Sequence, residues 1–103
     1  MLFNFDPKNQ AEIITLSFGF QNDMLSSDSI VSAVITATTH IGSDPNPSAL
    51  LLLTPSLAQP TWVMQRVQGG LPGCFYLFHV QATLASGNIL VRDAVLPIYP
   101  SIS

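Results

Sequence analysis

The stretch Gly69-Gly70-Leu71-Pro72-Gly73-Cys74-Phe75-Tyr76-Leu77-Phe78-His79-Val80 does most to limit what this chain can fold into. Three glycines and a proline compel a tight corner, and an aromatic-rich strand leaves it. Glycine enters the positive-φ region without a Cβ penalty, and proline presets the turn and ends the strand before it. Tyr76, following Gly73, stands where a β-sandwich places its tyrosine corner, with the hydroxyl reaching back to upstream backbone. The plainer alternative is a hairpin turn with a buried tyrosine. On either reading Gly69, Gly70, Gly73 and Tyr76 form a structural corner of a β-protein.

Alternation continues on both sides of that corner. From Glu12 to Phe20, Ile14, Leu16, Phe18 and Phe20 share one face, and Ile13, Thr15, Ser17 and Gly19 the other, the period of a half-buried strand. Thr61 to Gln68 puts Val63, Gln65 and Val67 opposite Trp62, Met64 and Arg66. Cys74 to Leu84 sends Tyr76, Phe78, Val80, Ala82 and Leu84 one way. Ile30 to Thr39 is dense in β-branched residues, which favour a pleated surface over a helix. Gln21 to Ser29 reads as a polar loop with room for a helical turn capped by Ser26 or Asp28. Gly42 to Pro47 is a loop, Ala49 to Thr54 a short strand stopped by Pro55, and Ser56 to Pro60 a connection. Ser86-Gly87-Asn88 turns a hairpin into a last strand, Ile89 to Leu96, closed by Pro97 and Pro100. Six or seven strands at short spacing, without a convincing helix, predict an all-β, immunoglobulin-like β-sandwich of about seven antiparallel strands. Residues 1–11 read as an extended N-terminal arm and 12–103 as the sandwich. Pro7 pushes Asp6 toward an extended form, and Leu2, Phe3 and Phe5 are apolar enough to dock on this domain or a neighbour.

Composition bears on what covers the outside. Of 103 residues, 48% are hydrophobic and 9% charged, where an ordinary globular chain carries about 25% charged. So few solvated charges imply a surface committed to other protein, unless Ser, Thr, Asn and Gln cover it instead. Lys8, Arg66 and Arg92 are the permanent cations and the net charge is −3, so no basic stripe suits nucleic acid. Lone Cys74 gives no internal disulfide and reads as a small buried apolar residue. Met1 to Asp6 lacks the basic start of a signal peptide, and the aliphatic run at Ala49 to Leu53 is too short to span a bilayer. The expectation is synthesis in the cytoplasm and no membrane partner.

Candidate chemistry is sparse. His40, His79 and the serines stand in no nucleophile–base context, and no glycine-rich loop opens a helix. His40 and Asp44 are four residues apart in an irregular loop with no second pair, and Asp23 and Asp28 fit no calcium-loop spacing. No catalytic residue, metal or cofactor is expected. If Tyr76, Phe78 and Val80 point inward, Phe75, Leu77 and His79 point outward; Trp62 and Met64 likewise lie on an outer face. Phe75, Leu77, Trp62 and Met64 together would form an apolar patch unusual for a monomer, unless Phe3 and Phe5 of the arm cover it. These six are the candidate interface residues.

The order of features resembles a family of small tailed-phage and prophage virion proteins, labelled fibre-tail adaptor or head-tail accessory proteins. The resemblance rests on Phe5-Asp6-Pro7-Lys8 followed by Glu12, a strand near Leu16-Ser17-Phe18, and Leu25 with Asp28-Ser29-Ile30. It continues through a strand running into Gly69-Gly70, with Gly73 and Tyr76 following, a Thr83-to-Gly87 hairpin, and Val95-Leu96-Pro97-Ile98. The chain departs at Ala82 to Gly87, one residue longer than the family's tight hairpin. The resemblance carries no catalytic residues. It implies a structural role in a virion as a symmetric ring component (a homo-oligomer) or adaptor contacting other virion proteins, or as a decoration on head or tail. The alternative is a sugar- or surface-binding β-sandwich module in which Trp62 or Tyr99 stacks on a ligand.

Overall fold

Burial follows the alternation of the three strands flanking the corner. Leu16 and Phe18, then Val63, Gln65 and Val67, then Tyr76, Phe78, Val80, Ala82 and Leu84 are all buried, while the residues between them are half-buried or exposed. The computed structural model describes residues 2–5, 8–9, 11–24, 27–57 and 61–99, with backbone alone at Leu2, Phe3, Asn4, Leu53 and Tyr99. The readings made at Asp6, Pro7, Leu25, Ser26, Pro60 and Pro100 lie outside the described residues.

Among the described residues eight strands run in chain order: β1 (Leu2–Asn4), β2 (Lys8–Asn9), β3 (Ile14–Gly19), β4 (Ile30–Ile41), β5 (Leu51–Ser56), β6 (Trp62–Val67), β7 (Phe75–Leu84) and β8 (Ile89–Tyr99). One sheet is ordered β1-β8-β7-β4, with β2 also on β8, and the other is β3-β6-β5. The fold is an all-β sandwich. With β3, β6 and β5 as strands B, E and D, and β4, β7 and β8 as C, F and G, its order is that of an immunoglobulin-type domain. The N-terminal segment adds two short strands that are parallel to β8 rather than antiparallel.

Both sheets turn their apolar sides to one core. Phe20, Val63, Val67, Tyr76, Phe78, Val80 and Leu96 are fully enclosed there, each burial stabilising by about 1.5–3 kcal/mol. Gln65 is the polar exception on the inward face. Its amide donates to the carbonyls of Leu52 (3.1 Å) and Arg66 (2.8 Å), which offsets the cost of burying it.

Prolines and bulges account for the departures from the sequence reading. Strand β4 shifts register between Ile30 and Ser32 and again between Thr39 and Ile41, so Ile30 and Ile35 both face inward and plain alternation fails. Pro55 does not stop a strand: it sits inside β5, an edge strand whose pairing with β6 is broken between Leu52 and Ser56. There a missing N–H costs no ladder bond. Residues Pro47–Leu50, expected partly as strand, form a 3-10 turn. Pro97 lies inside β8 as well. The Ile98–Cys74 hydrogen bond sets the phase of the β7–β8 ladder, so the Phe75–Pro97 pair makes no bonds within it. The missing N–H of Pro97 would have pointed away from β7, between the segments where β1 and β2 pair. The hairpin after Leu84 closes with Leu84 and Asn88 bonded and Thr83 opposite Ile89. The turn at Gln21–Asp23 is a 3-10 turn without a side-chain cap. Asp28 instead accepts from the Ser86 hydroxyl (2.6 Å), tying that loop to the β7–β8 hairpin.

Candidate interaction surfaces

The corner positions everything at one end of the sandwich. Gly70 has a φ of 95° and packs so closely that a Cβ would stand 2.8 Å from the Ile98 side chain. The Leu71 amide donates to the Tyr76 hydroxyl (2.8 Å), which in turn donates to the Asp44 carboxylate (2.7 Å). Burial pushes the Tyr76 phenol far above its ordinary range, and the Asp44 charge adds to the shift. The same corner receives the arm: Lys8 is buried and its ammonium donates to the carbonyls of Asn9 and Gly69, both at 2.8 Å. Burial lowers its pKa, with the Glu12 carboxylate pulling the other way.

Of the arm's candidates, Phe3 has its backbone in β1 and a side chain outside the described residues. Phe5 is half-buried and meets the Phe18 ring edge-on, centroids 5.4 Å apart. Its amide donates to Val95 (2.9 Å). The arm therefore docks on its own domain. Sequence reasoning could not see this pairing partner, because nothing local to residues 2–9 encodes a strand so far along the chain.

Trp62, Met64, Phe75 and Leu77 do not form one patch, contrary to expectation. Strands β6 and β7 belong to different sheets, so Trp62 and Met64 lie on one outer face and Phe75 and Leu77 on the opposite one. Outward pointing was readable from alternation; the sheet to which each strand belongs was not. On the face of β4, β7 and β8, cross-strand rows run Val34–Gln81–Val91, Thr36–His79–Asp93, Thr38–Leu77–Val95 and Ile41–Phe75–Pro97. Val34, Ile41, Phe75, Ile89 and Val91 are exposed. The ionisable groups in these rows are His79 and Asp93, paired at 2.6 Å. No lysine, arginine or glutamate stands in them.

On the other sheet the Trp62 ring lies across Gly19, where a Cβ would come within 2.9 Å of it. Gly19 is thus the position that lets the indole cross β3. Beside it a groove of about 650 Å³ opens between the edge of β3 and that of β8, with Phe5, Phe18 and Ala94 among its lining and Asp23, Asp93 and Arg92 along it. Arg92 pairs with Asp23 and stacks 4.8 Å over the Phe20 ring. Cys74 is buried with a free thiol. Among the described residues no group of His, Cys, Asp and Glu could hold a metal ion.

A β-sandwich held by a tyrosine corner, in the strand order of an immunoglobulin-type domain, defines the class of fold to which this protein belongs. A family model described as podophage GP4 fiber-tail adaptor protein gp77 matches residues 8–97. The chain belongs to this phage fibre-tail adaptor family. Nothing among curated proteins and nothing among solved structures matches the chain.

Proposed function

We propose that this protein is a non-enzymatic structural adaptor of a phage or prophage virion, in its head-tail or tail-fibre region. It acts by packing against copies of itself and against other virion proteins, after synthesis in the bacterial host cytoplasm. The family match supports an adaptor role. The observation that carries the packing mechanism is the outer face of β4, β7 and β8, where exposed Val34, Phe75 and Val91 surround a single His79–Asp93 pair. A face so poor in charge is costly to leave in water and suits a partner. Phe75 and Leu77 are its central contacts, Trp62 and Met64 serve the opposite face, and Phe3 and Phe5 belong to the arm over residues 1–11, the sandwich being 12–103. With three permanent cations in the chain, direct contact with nucleic acid has no electrostatic support.

Light scattering over a concentration series tests this reading. A discrete oligomer or concentration-dependent self-association is expected, weakened by Phe75→Ser while unfolding free energy changes by less than about 1 kcal/mol. A strict monomer with glycan affinity would overturn it in favour of a sugar-binding module.

A further inference from the structure

The sheet containing β3 is one strand narrower than in an immunoglobulin constant-type domain, where strand A lies beside strand B. Here the segment before β3 pairs with β8 in the opposite sheet, and no described residue pairs with β3 on the side away from β6. The Phe20–Thr61 hydrogen bond sets the phase of the β3–β6 ladder. Ile14, Leu16 and Phe18 therefore bond to β6, and Thr15, Ser17 and Gly19 turn their N–H and C=O groups outward.

Among the described residues the other edges are interrupted or covered, β4 only near its two ends. Strand β4 carries two register shifts, β5 carries Pro55 and a broken register, and β8 is covered by the arm. Strand β3 pairs with β6 without a shift over Ile14–Gly19 and holds no proline and no charge. A flat, uncharged edge is a template for another strand.

The groove lies directly inside that edge. A strand added to β3 would send alternate side chains onto Phe5, Phe18 and Ala94, and the others outward beside Trp62 and Thr15. Asp23 and Arg92 pair with each other along the groove, and the Asp93 carboxylate is bonded to His79 on the outer face, so the lining favours apolar side chains in the occupant.

We propose that the β3 edge captures an extended segment of another virion protein as a fourth strand of its sheet. That segment is apolar at alternate positions. The proposal rests on the adaptor reading and gives it a specific contact: main-chain bonds supply affinity, and the groove selects side chains.

Amide hydrogen exchange on the full-length, isotope-labelled protein tests it, with a short capped peptide that alternates valine and threonine and ends in lysine for solubility. Saturating peptide should slow exchange at Thr15, Ser17 and Gly19 by about tenfold, some 1.4 kcal/mol, and leave Ile14, Leu16 and Phe18 unchanged. Ser17→Pro, which removes an outward N–H, should abolish the effect, as should N-methylation of the peptide at alternate residues, a control that requires no variant to fold. No protection at millimolar peptide, or protection that survives N-methylation, would overturn the proposal. So would protection of the same amides without peptide at rising protein concentration, which would make a second copy the occupant. None of these readouts involves Phe75, so failure here leaves the packing function standing, and loss of that function leaves this contact testable.

Discussion

Strands β8 and β3 face each other across one groove and are treated in opposite ways. The chain seals the edge of β8 with its own residues: β1 and β2 pair along it, Phe5 packs on Phe18, and Lys8 binds the corner at Gly69. Beside β3 no described residue supplies a ladder partner, although its sequence is equally fit to pair. The difference teaches that edge protection here is selective. Where the chain closes an edge it uses several independent ties, and where it leaves one open it also omits the proline, bulge or charge that would discourage pairing.

Removing residues 1–11 is the strongest way to break the contrast. Loss of the β1 and β2 pairing and of Phe5 burial should cost about 3 kcal/mol or more in urea unfolding. Unchanged stability would mean that the arm is separable and that both edges are effectively open. Gly70→Ala attacks the corner that receives the arm. With φ at 95° and Ile98 in the way, it should cost about 2 kcal/mol, read from the same curves. Tyr76→Phe sharpens the comparison further, at about 1–2 kcal/mol for the bonds to Leu71 and Asp44. The wild-type phenol stays neutral when folded above the pH at which it ionises when unfolded, about 10. Its contribution is therefore full below that pH and declines as pH rises toward the folded value. Tyr76→Phe should flatten this alkaline loss, and an unchanged pH profile would remove Tyr76 from the account. The smallest effect is expected on the open side: Ser17→Pro, which loses no ladder bond but fixes φ, should cost about 1 kcal/mol. A large loss would show that the β3 edge is already engaged within the monomer.

Much of this was readable from local pattern. The inward sets on β3, β6 and β7 follow directly from period-two alternation, and the glycines before Tyr76 announce the corner. Non-local features were less legible. Pro55 and Pro97 look like strand stops because a sequence does not say which residues bond across a ladder, and both occupy positions where an N–H is dispensable. Lys8 sits in the segment read as an extended arm, yet it is buried with its ammonium on two carbonyls. The bulges in β4 conceal its inward face. The apolar outward residues were identified singly, but dividing them between opposite surfaces requires knowing that the corner carries the chain from one sheet to the other.

The parallel seal on β8 also has a consequence in time. Leu2–Asn4 pairs with Asp93–Val95, roughly ninety positions later, so this closure is among the most sequence-distant in the fold and slow for that reason. During translation at about 5–20 residues per second, β1 waits roughly 5 to 20 seconds for its partner to be made. The β3-β6-β5 sheet has all its strands well before that, and the newborn chain passes through an interval in which the β3 edge exists without the β8 wall of the groove.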